Sequence, residues 1–406
     1  MLYNSYVIYM KKFIIVIIVL VLLTGCNNKY KLPKDVWVKQ SIKEIEVYKS
    51  KDIKDFNLTS NAELDIKDIE ISTNKIGKKT IEIPLNYKGK DYIYRLKYNV
   101  VDKEAPKYIS ASTYRTILLN GKTNFCDDIV FGDNYDHEPK CRIDGNIDNK
   151  TVGKYLVEYV ITDSSNNEKR RKLTVNVIEK YDTTKTTTQK EKVNLEFSEV
   201  IENYKNDNTM IGIDISRYQG DIDFEKIKNA GCEFVIMRIG INSDVNKDIS
   251  MDSYYLKNIE GAKKAGLKIG VYVYSSATNV NRAIEHAKWV VKNLHNEKLD
   301  LGIAFDWENW SKFRKYKMNI HELNSVFDAF ATYVKGHGYE PILYSSKFYL
   351  ENIWENKNNE TVWLAHYAKS TNYAGPYYIW QMSCIGKIDG INADVDIDIL
   401  YKNKNA

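Results

Sequence analysis

The sequence Leu301-Gly302-Ile303-Ala304-Phe305-Asp306-Trp307-Glu308 runs from an apolar stretch into a pair of acids. A short apolar run that ends in polar residues is typical of a strand buried on both faces, as in a parallel sheet. Alternate residues of a strand point to the same side and lie about 6.6 Å apart along the backbone. Asp306 and Glu308 are therefore expected to share one small space at the carboxyl end of this strand.

On both sides of this stretch, from Met210 onward, apolar strands alternate with amphipathic segments of helix length. That alternation predicts parallel βα units. We expect strands at 211–215, 234–239, 268–274, 301–306, 341–344, 362–366, 378–381 and 395–399. Helices are expected at 223–230, 252–265, 280–294 and 320–335, with Asp223 and Asp252 as caps or first-turn acids. Eight strands in so short a segment predict a small, irregular α/β barrel of the TIM type.

Catalytic groups of such barrels sit at the carboxyl ends of the strands, where this segment has Asp214, Asp306, Glu308 and Asp396. Two neighbouring carboxylates push their pKa values apart, which leaves a protonated acid beside an anion. Cleavage of a glycosidic bond requires that combination. The spacing alone is a weak signal, because Asp68-Ile69-Glu70 repeats it without partner acids. The alternative is an acidic strand end exposed to solvent.

At these residues the segment resembles the glycoside hydrolase family 25 lysozymes, which cleave peptidoglycan on the muramic-acid side. The resemblance covers about residues 210–401 and rests on motifs that keep the family's order. These motifs are Gly212-Ile213-Asp214-Ile215-Ser216 with Tyr218-Gln219-Gly220, Phe234-Val235-Ile236-Met237-Arg238, Gly261-Ala262 through Ala265-Gly266-Leu267 to Gly270-Val271-Tyr272-Val273-Tyr274, Asp306-Trp307-Glu308, Trp363-Leu364-Ala365-His366-Tyr367, Trp380-Gln381 and Val395-Asp396-Ile397-Asp398.

The resemblance implies a role for each of the four acids. Glu308 would be the general acid, Asp306 the companion that positions or stabilises, and Asp214 and Asp396 further acids lining the cleft. It also implies sugar-binding side chains, namely Tyr218, Tyr272, Tyr274, Tyr344, Tyr367 and Gln381. The competing interpretation of the tyrosines is that they are core residues, since barrel strands often carry alternate aromatic residues. Whether the route is retaining, inverting or substrate-assisted depends on the separation of the carboxylates and stays open.

Composition argues against several other functions. The 406 residues hold 59 Lys and Arg against 54 Asp and Glu, and a net charge of +5 argues against a nucleic-acid binder. With 6 His and 5 Cys, and neither a CxxC pair nor an HExxH run, we expect no metal site and no cofactor. Cys126 and Cys141 lie close in sequence and could form a disulfide in an oxidising exterior. Cys232 and Cys384 are expected to be buried free thiols or small core residues.

The amino terminus predicts targeting to a membrane. Lys11 and Lys12 precede an apolar run at 13–23, which is too short for a spanning helix of about 20 residues but suits a secretory signal. The ending Leu23-Thr24-Gly25-Cys26 resembles a bacterial lipobox. This resemblance implies that Cys26 is diacylated and anchors the chain at the extracytoplasmic face of the cell membrane, facing the wall. The alternative is a cleaved signal with an incidental cysteine, and a start at Met1 or Met10 stays open.

Residues 33–180 carry short alternating runs rich in Val, Ile, Tyr and Thr, which predict β sandwiches. Ile76-Gly77-Lys78 recurs as Val152-Gly153-Lys154, and Leu96-Lys97-Tyr98-Asn99-Val100 as Leu173-Thr174-Val175-Asn176-Val177. We therefore expect two modules, 33–104 and 105–180, that resemble the immunoglobulin-like modules of bacterial surface proteins. A spacer role is favoured over ligand binding. A polar linker at 181–208, with a short helix at 196–204, would lead to the barrel at 209–402.

Together these features predict a monomeric, lipid-anchored peptidoglycan hydrolase, an N-acetylmuramidase. It would cleave the β-1,4 bond between N-acetylmuramic acid and N-acetylglucosamine, with the glycan strands and the membrane as its partners and no nucleic acid. One alternative is a noncatalytic wall-binding or adhesion lipoprotein whose barrel only grips the glycan. Another is a barrel hydrolase that acts on a different N-acetylated polysaccharide, such as chitin.

Overall fold

The computed structural model describes residues 30–49, 52–181, 195–355 and 360–405. The expected signal and the expected lipidation site Cys26 lie outside these residues. Contacts between residues divide the chain into two compact units, Met1–Lys103 and Glu104–Ala406. In the described ranges, no helix combines the length and the apolar character that a membrane crossing would need.

The first unit is a small β module built around one long hairpin. Its strands are β1 (Val38–Lys39), β2 (Glu44–Glu46), β3 (Thr59–Ser60), β4 (Glu63–Leu64), β5 (Gly77–Tyr87) and β6 (Lys90–Val101), with a 3-10 helix at Ile53–Phe56. They form a sheet in the order β2-β6-β5-β4 and a separate β1-β3 pair. Lys88 and Gly89 join β5 to β6 with positive φ at both positions, which matches the twist of a tight hairpin. Phe56, Ile83 and Leu96 are fully buried in its core.

The second unit begins with another β module of the same connectivity. Its strands are β7 (Lys107–Ser110), β8 (Tyr114–Leu118), β9 (Val130–Gly132), β10 (Lys140–Asp144), β11 (Gly153–Thr162) and β12 (Glu168–Ile178). The sheet order is β10-β11-β12-β8, with a separate β7-β9 pair. In both modules the hairpin has one parallel and one antiparallel neighbour, and the repeated glycines Gly77 and Gly153 each begin its first strand. Two copies of one repeat account for this match, while their immunoglobulin-like character stays a prediction.

A short segment of the expected linker packs onto the barrel that follows. It contains β13 (Leu195–Glu196) and helix α1 (Phe197–Tyr204), close to the helix expected at 196–204. Phe197 and Val200 of α1 are buried in the core cluster that they share with the barrel, and β13 extends its sheet. The apolar side chains of this linker segment therefore pack against the barrel.

The rest of the second unit is the barrel. Its strands are β14 (Thr209–Ile215), β15 (Phe234–Ile241), β16 (Ser250–Met251), β17 (Lys268–Tyr274), β18 (Gly302–Asp306), β19 (Pro341–Ser346), β20 (Thr361–Ala365), β21 (Tyr377–Lys387) and β22 (Val395–Asn405). Its helices are α2 (Phe224–Asn229), α3 (Tyr255–Lys264), α4 (Val280–Asn293), α5 (Phe313–Tyr316), α6 (Ile320–Gly336) and α7 (Lys347–Asn352). Each expected strand and helix is present, with ends that differ by a few residues. Asp223 caps α2 by accepting from the Lys226 amide, as expected.

Eight strands close the barrel, and one of them runs against the prediction. β14, β15, β17, β18, β19, β20 and β21 are parallel neighbours in that order. The expectation of parallel strands is wrong for β22, which is antiparallel to both β21 and β14 and closes the ring between them. Only a short connection without a helix joins β21 to β22, and a parallel pairing needs a long crossover.

Strand alternation sorts the barrel side chains into two layers. On β15, Phe234 and Ile236 belong to one buried cluster, while Val235 and Met237 belong to the cluster that packs against the helices. The first cluster fills the barrel interior, where it includes Ala304 and residues from most of the other strands. Continuing the same alternation toward the carboxyl ends of the strands brings polar side chains to the interior side, above the apolar layer.

The second β module packs against the barrel within the second unit. Arg314 of α5 donates to the Cys126 carbonyl over 3.1 Å, and its guanidinium lies 4.3 Å from the centre of the Phe131 ring. At the start of α6, the Ile320 amide donates to the Asp133 carbonyl over 2.7 Å. These contacts attach the module to the chain segment that follows β18. A spacer that moved independently of the barrel would not make them.

The cysteines follow the expectation in part. Cys126 and Cys141 form a disulfide, with Cα atoms 5.9 Å apart. Cys232 is a buried free thiol, but the expectation of a buried thiol is wrong for Cys384, which is exposed. The pairing of β21 with β22 is irregular between Ser383 and Gly386, and this interrupts the burial that an uninterrupted apolar strand would have given Cys384.

Candidate active site

One cavity of about 520 Å³ opens where the parallel strands of the barrel end. Every acid and every sugar-binding side chain expected from the sequence lines this cavity. They are Asp214, Asp306, Glu308, Asp396, Tyr218, Tyr272, Tyr274, Tyr344, Tyr367 and Gln381. The barrel therefore brings together side chains that are up to about half of the chain apart in sequence, and their individual roles remain predictions.

The backbone register explains how the four acids meet. Asp306 is the last residue of β18, and it lies beside Tyr274, the last residue of β17. Asp214 of β14 lies opposite Asp396 of the antiparallel β22. Asp214 and Asp306 are each only 6% exposed, whereas Glu308 projects from the loop after β18 and is exposed to solvent.

The cavity changes the protonation of these acids. Burial raises the pKa of Asp306 well above its usual range, and the neighbouring Glu308 raises it further, while the cation of Arg238 opposes the rise. Glu308 has an exposed outer side, but partial burial by the cavity wall still raises its pKa. Burial, together with Glu308, raises the pKa of Asp396 to about 6. Carboxyl groups with raised pKa values can hold a proton near neutral pH, so an acid of this cavity can serve as a proton donor.

Gln381 connects one of the acids to two tyrosines. Its Nε2 donates to Asp214 Oδ2 over 2.7 Å, and its Oε1 accepts from the hydroxyls of Tyr344 and Tyr367 over 2.9 and 3.1 Å. Tyr344 is buried against Trp363, with ring centres 4.7 Å apart, so its ring belongs to the wall. Tyr367 is 56% exposed and lines the cavity.

Asp398 lies beneath the cavity and is completely buried. Its Oδ1 accepts from Trp363 Nε1 over 2.8 Å, and its carboxyl group is hydrogen-bonded to that of Asp214. Burial raises the pKa of both Asp214 and Asp398 well above the usual range. Burial therefore favours the neutral form of both carboxyl groups.

Arg238 is a cavity residue to which the sequence assigned no role. Arg238 follows Phe234 and Ile236 at alternate positions of β15. Alternate residues of a strand point to the same side, so this spacing could have predicted that Arg238 faces the barrel interior. Its guanidinium pairs with the buried Asp252, Nη2 at 2.6 Å and Nε at 2.7 Å from Oδ2. Asp252 also accepts from the Tyr254 amide over 3.0 Å. The expectation that Asp252 is a cap or first-turn acid is wrong, because α3 begins at Tyr255 with Tyr254 as its cap and no acid in its first turn.

The loop that carries Glu308 is anchored on both sides of that residue. Trp307 is fully buried, and its Nε1 donates to the Ala277 carbonyl over 3.0 Å. Asn309 is 5% exposed, and its Nδ2 donates to Ser276 Oγ over 3.1 Å. Glu308 therefore projects from a loop whose neighbours have little freedom, which is the arrangement that a group acting on a substrate needs.

The composition of the cavity limits its chemistry. Among the described residues, its lining includes carboxyl groups, tyrosines, two glutamines, Arg238 and Lys312, but no histidine or cysteine. Such a lining can donate a proton, stabilise a positive charge and stack on a sugar ring. It does not provide the histidine and thiolate ligands that zinc prefers.

The sequence matches known proteins over the barrel. Residues 213–391 match the family described as Glycosyl hydrolases family 25. The chain is 31% identical over 191 residues to the autolytic lysozyme of Clostridium acetobutylicum, which covers 47% of this chain and 55% of that protein. It is 27% identical over 195 residues to the uncharacterized protein YegX of Escherichia coli K12, covering 47% and 69% of the two chains.

Solved structures with a similar fold include the modular autolysin LytC from Streptococcus pneumoniae in complex with a synthetic peptidoglycan ligand. That match has a TM-score of 0.44 and 23% identity, and it covers 60% of this chain and 56% of the other. The chain thus spans about half the length of the autolytic lysozyme and of this autolysin. Over the barrel, this chain is thus similar to glycosyl hydrolases family 25.

Proposed function

We propose that this chain is a lysozyme that hydrolyses the β-1,4 bond between N-acetylmuramic acid and N-acetylglucosamine in peptidoglycan. The observation that supports this proposal most strongly is the pair Asp306 and Glu308 in one cavity, where burial raises the pKa of both carboxyl groups. The match to glycosyl hydrolases family 25 and the similarity to an autolytic lysozyme support the same activity.

In this mechanism Glu308 is the general acid. Its raised pKa keeps a fraction of the carboxyl group protonated at the pH of the wall, and the group gives its proton to the glycosidic oxygen as the bond to the sugar breaks. The anchored neighbours Trp307 and Asn309 hold the donor in place, so less orientational freedom is lost when the substrate binds.

Asp306 is the stabilising partner in the same mechanism. Arg238 opposes the rise in its pKa and so favours the ionised form, which stabilises the positive charge that develops on the sugar ring. Asp214 and Asp396 line the same cavity as further acids. Tyr367, exposed at the rim, and Tyr218, 67% exposed, are suited to stack on neighbouring sugar rings.

The anchor and the location belong to the same proposal. Lipidation at Cys26 would hold the enzyme at the outer face of the membrane, with the glycan strands as substrate and the chain acting as a monomer. The test compares the parent with a Cys26→Ser variant by detergent phase partition of cell extracts. The proposal expects the parent in the detergent phase and the variant in the aqueous phase, and a parent found in the aqueous phase would contradict it.

The activity is tested with the soluble chain from residue 27 onward, incubated with purified peptidoglycan and, in parallel, with chitin. New reducing ends are identified by mass spectrometry. Muramic-acid ends from peptidoglycan support the proposed bond. Glucosamine reducing ends, or release from chitin alone, would show that the proposed bond is not the substrate. Tight sedimentation with the wall and no new reducing ends would favour a noncatalytic glycan-binding protein.

A further inference from the structure

Two buried aspartates meet in the second β module, away from the cavity. Asp133 follows β9 and is completely buried, and Asp163 follows β11 and is 6% exposed. A carboxylate oxygen of one lies within 4.8 Å of a carboxylate oxygen of the other. Two acids this close in a protein interior are unfavourable unless a proton or a cation lies between them.

The backbone already holds one oxygen of each carboxylate. Asp133 Oδ1 accepts from the amides of Tyr135 and Asp136 over 2.9 and 2.7 Å. Asp163 Oδ1 accepts from the amides of Ser165 and Asn167, each over 2.8 Å. These bonds fix the orientation of both side chains before any ligand arrives, which lowers the entropy lost on binding.

The second oxygen of Asp133 has no such partner. Asp133 Oδ2 is enclosed and accepts no hydrogen bond, an exception to the rule that buried polar atoms are paired. Asp163 offers a carboxylate oxygen within 4.8 Å of one on Asp133. An orphaned carboxylate oxygen in a residue that lies this close to a second acid is the arrangement expected of a ligand atom for a cation.

We propose that Asp133 and Asp163 bind a hard divalent cation, with Ca²⁺ as the preferred ion. Both ligands are carboxylates, the oxygen donors that Ca²⁺ and Mg²⁺ take, whereas zinc prefers histidine and thiolate. Ca²⁺ is favoured because it accepts irregular geometry and completes its shell with carbonyl oxygens and water. Mg²⁺ demands a near-ideal octahedron, which two acids held by separate turns are poorly placed to supply.

The cation would stiffen the loop that fastens this module to the barrel. The carbonyl of Asp133 accepts from the Ile320 amide over 2.7 Å, and the carbonyl of Tyr135 accepts from Asn319 Nδ2 over 3.0 Å. His137 Nε2 lies 2.9 Å from Glu322 of α6. Asp133 thus belongs at once to the site and to the contact with the first turn of α6, so loss of the ion would loosen that contact.

The test measures Ca²⁺ binding by calorimetry and thermal unfolding of the soluble chain from residue 27 onward, after removal of bound ions with a chelator. The variants are Asp133→Asn and, as a matched control, Asp127→Asn, an exposed acid of the same module. We expect one ion to bind the parent and the control, with a rise in unfolding temperature, and at least a tenfold loss of affinity in Asp133→Asn.

Two results would overturn the proposal. One is no binding to the parent at about 10 mM Ca²⁺, beyond the weakest affinities typical of extracellular modules. The other is parental affinity in Asp133→Asn, which would assign the ion to surface acids. If Asp133→Asn does not fold, Asp163→Asn takes its place, and a parent that binds Mg²⁺ more tightly than Ca²⁺ would reject the choice of ion.

Discussion

Arg238 and Asp252 form a buried ion pair at the edge of the candidate active site, with Nη2 2.6 Å from Oδ2. The side chain of Asp252 is fully buried and that of Arg238 is 6% exposed. The same guanidinium lines the cavity and acts on Asp306. One contact therefore links the stability of the barrel to the charge state of an acid in the site.

Removing the charge of Asp252 is expected to destabilise the barrel. Asp252→Asn leaves the Arg238 cation buried without an anion, and breaking such a pair costs about 3–5 kcal/mol. The free energy of unfolding in urea measures the loss. Asp248→Asn is the control, because Asp248 pairs with Arg282 through a side chain that is 97% exposed, and its effect should stay within about 0.5 kcal/mol. Equal effects of the two variants would contradict the account.

The pH dependence of kcat/KM is expected to follow the two central acids. Glu308 acts protonated, so activity falls as the pH rises through its raised pKa. Asp306 acts ionised, so activity falls as the pH drops through its own pKa. Arg238→Gln removes the cation that lowers the pKa of Asp306, and the acidic limb should move to higher pH.

Lys312→Gln is the control for that shift. Lys312 also lines the cavity, but it is not among the groups that alter the pKa of Asp306. The acidic limb of the pH profile of Lys312→Gln should coincide with that of the parent. An unmoved limb in Arg238→Gln, or the same shift in both variants, would show that Asp306 does not set the acidic limb.

Asp398→Asn is expected to stabilise the barrel at neutral pH. Burial makes the pKa of Asp398 higher in the folded chain than in the unfolded chain. The folded chain therefore becomes less stable as the pH rises from the pKa of the unfolded chain toward that of the folded chain. Asparagine keeps an oxygen for Trp363 Nε1 and needs no proton. The gain in unfolding free energy should be small near pH 4 and on the order of 1 kcal/mol at pH 7. A gain that does not grow with pH, or a loss at pH 7, would contradict this.

Asn309 is expected to act as a positioning residue for Glu308. Asn309→Ala removes the donor to Ser276 Oγ and frees the loop, so kcat should fall about tenfold while KM changes little. The control is Asn352→Ala at the end of α7, where the side-chain amide donates to the Phe348 carbonyl at an exposed position. A rise in KM at constant kcat would instead assign Asn309 to substrate binding.

Periodicity predicted the strands and helices of the barrel because each element carries its own apolar pattern. The direction of β22 could not be predicted in the same way, since an apolar run such as 395–399 is identical in a parallel and an antiparallel pairing. Strand direction follows from the length of the connection and from which edges remain to be paired. Both depend on the finished barrel.

Asp214, Asp306 and Glu308 were predictable because they stand where parallel strands end. The expectation of a carboxyl end was wrong for Asp396, which lies at the start of the antiparallel β22 and reaches the same cavity from there. The contacts that support these acids were not predictable, because those of Arg238, Asp398 and Asn309 join partners far away in sequence, such as Trp363 for Asp398. The contact of Arg314 with Phe131 is of the same kind, since it joins the second β module to the barrel. Local patterns contain no information about such pairings.

The central claim is that Glu308 donates the proton that breaks the glycosidic bond. The most direct measurement is the rate of muramic-acid reducing-end release from peptidoglycan by the parent, by Glu308→Gln and by Glu70→Gln. Glu70 is exposed and ends the same Asp-x-Glu spacing in the first β module, so its variant controls for the substitution itself. The account predicts a loss of at least about 10² in Glu308→Gln and parental rates in Glu70→Gln. A Glu308→Gln variant that releases ends at the parental rate would contradict it.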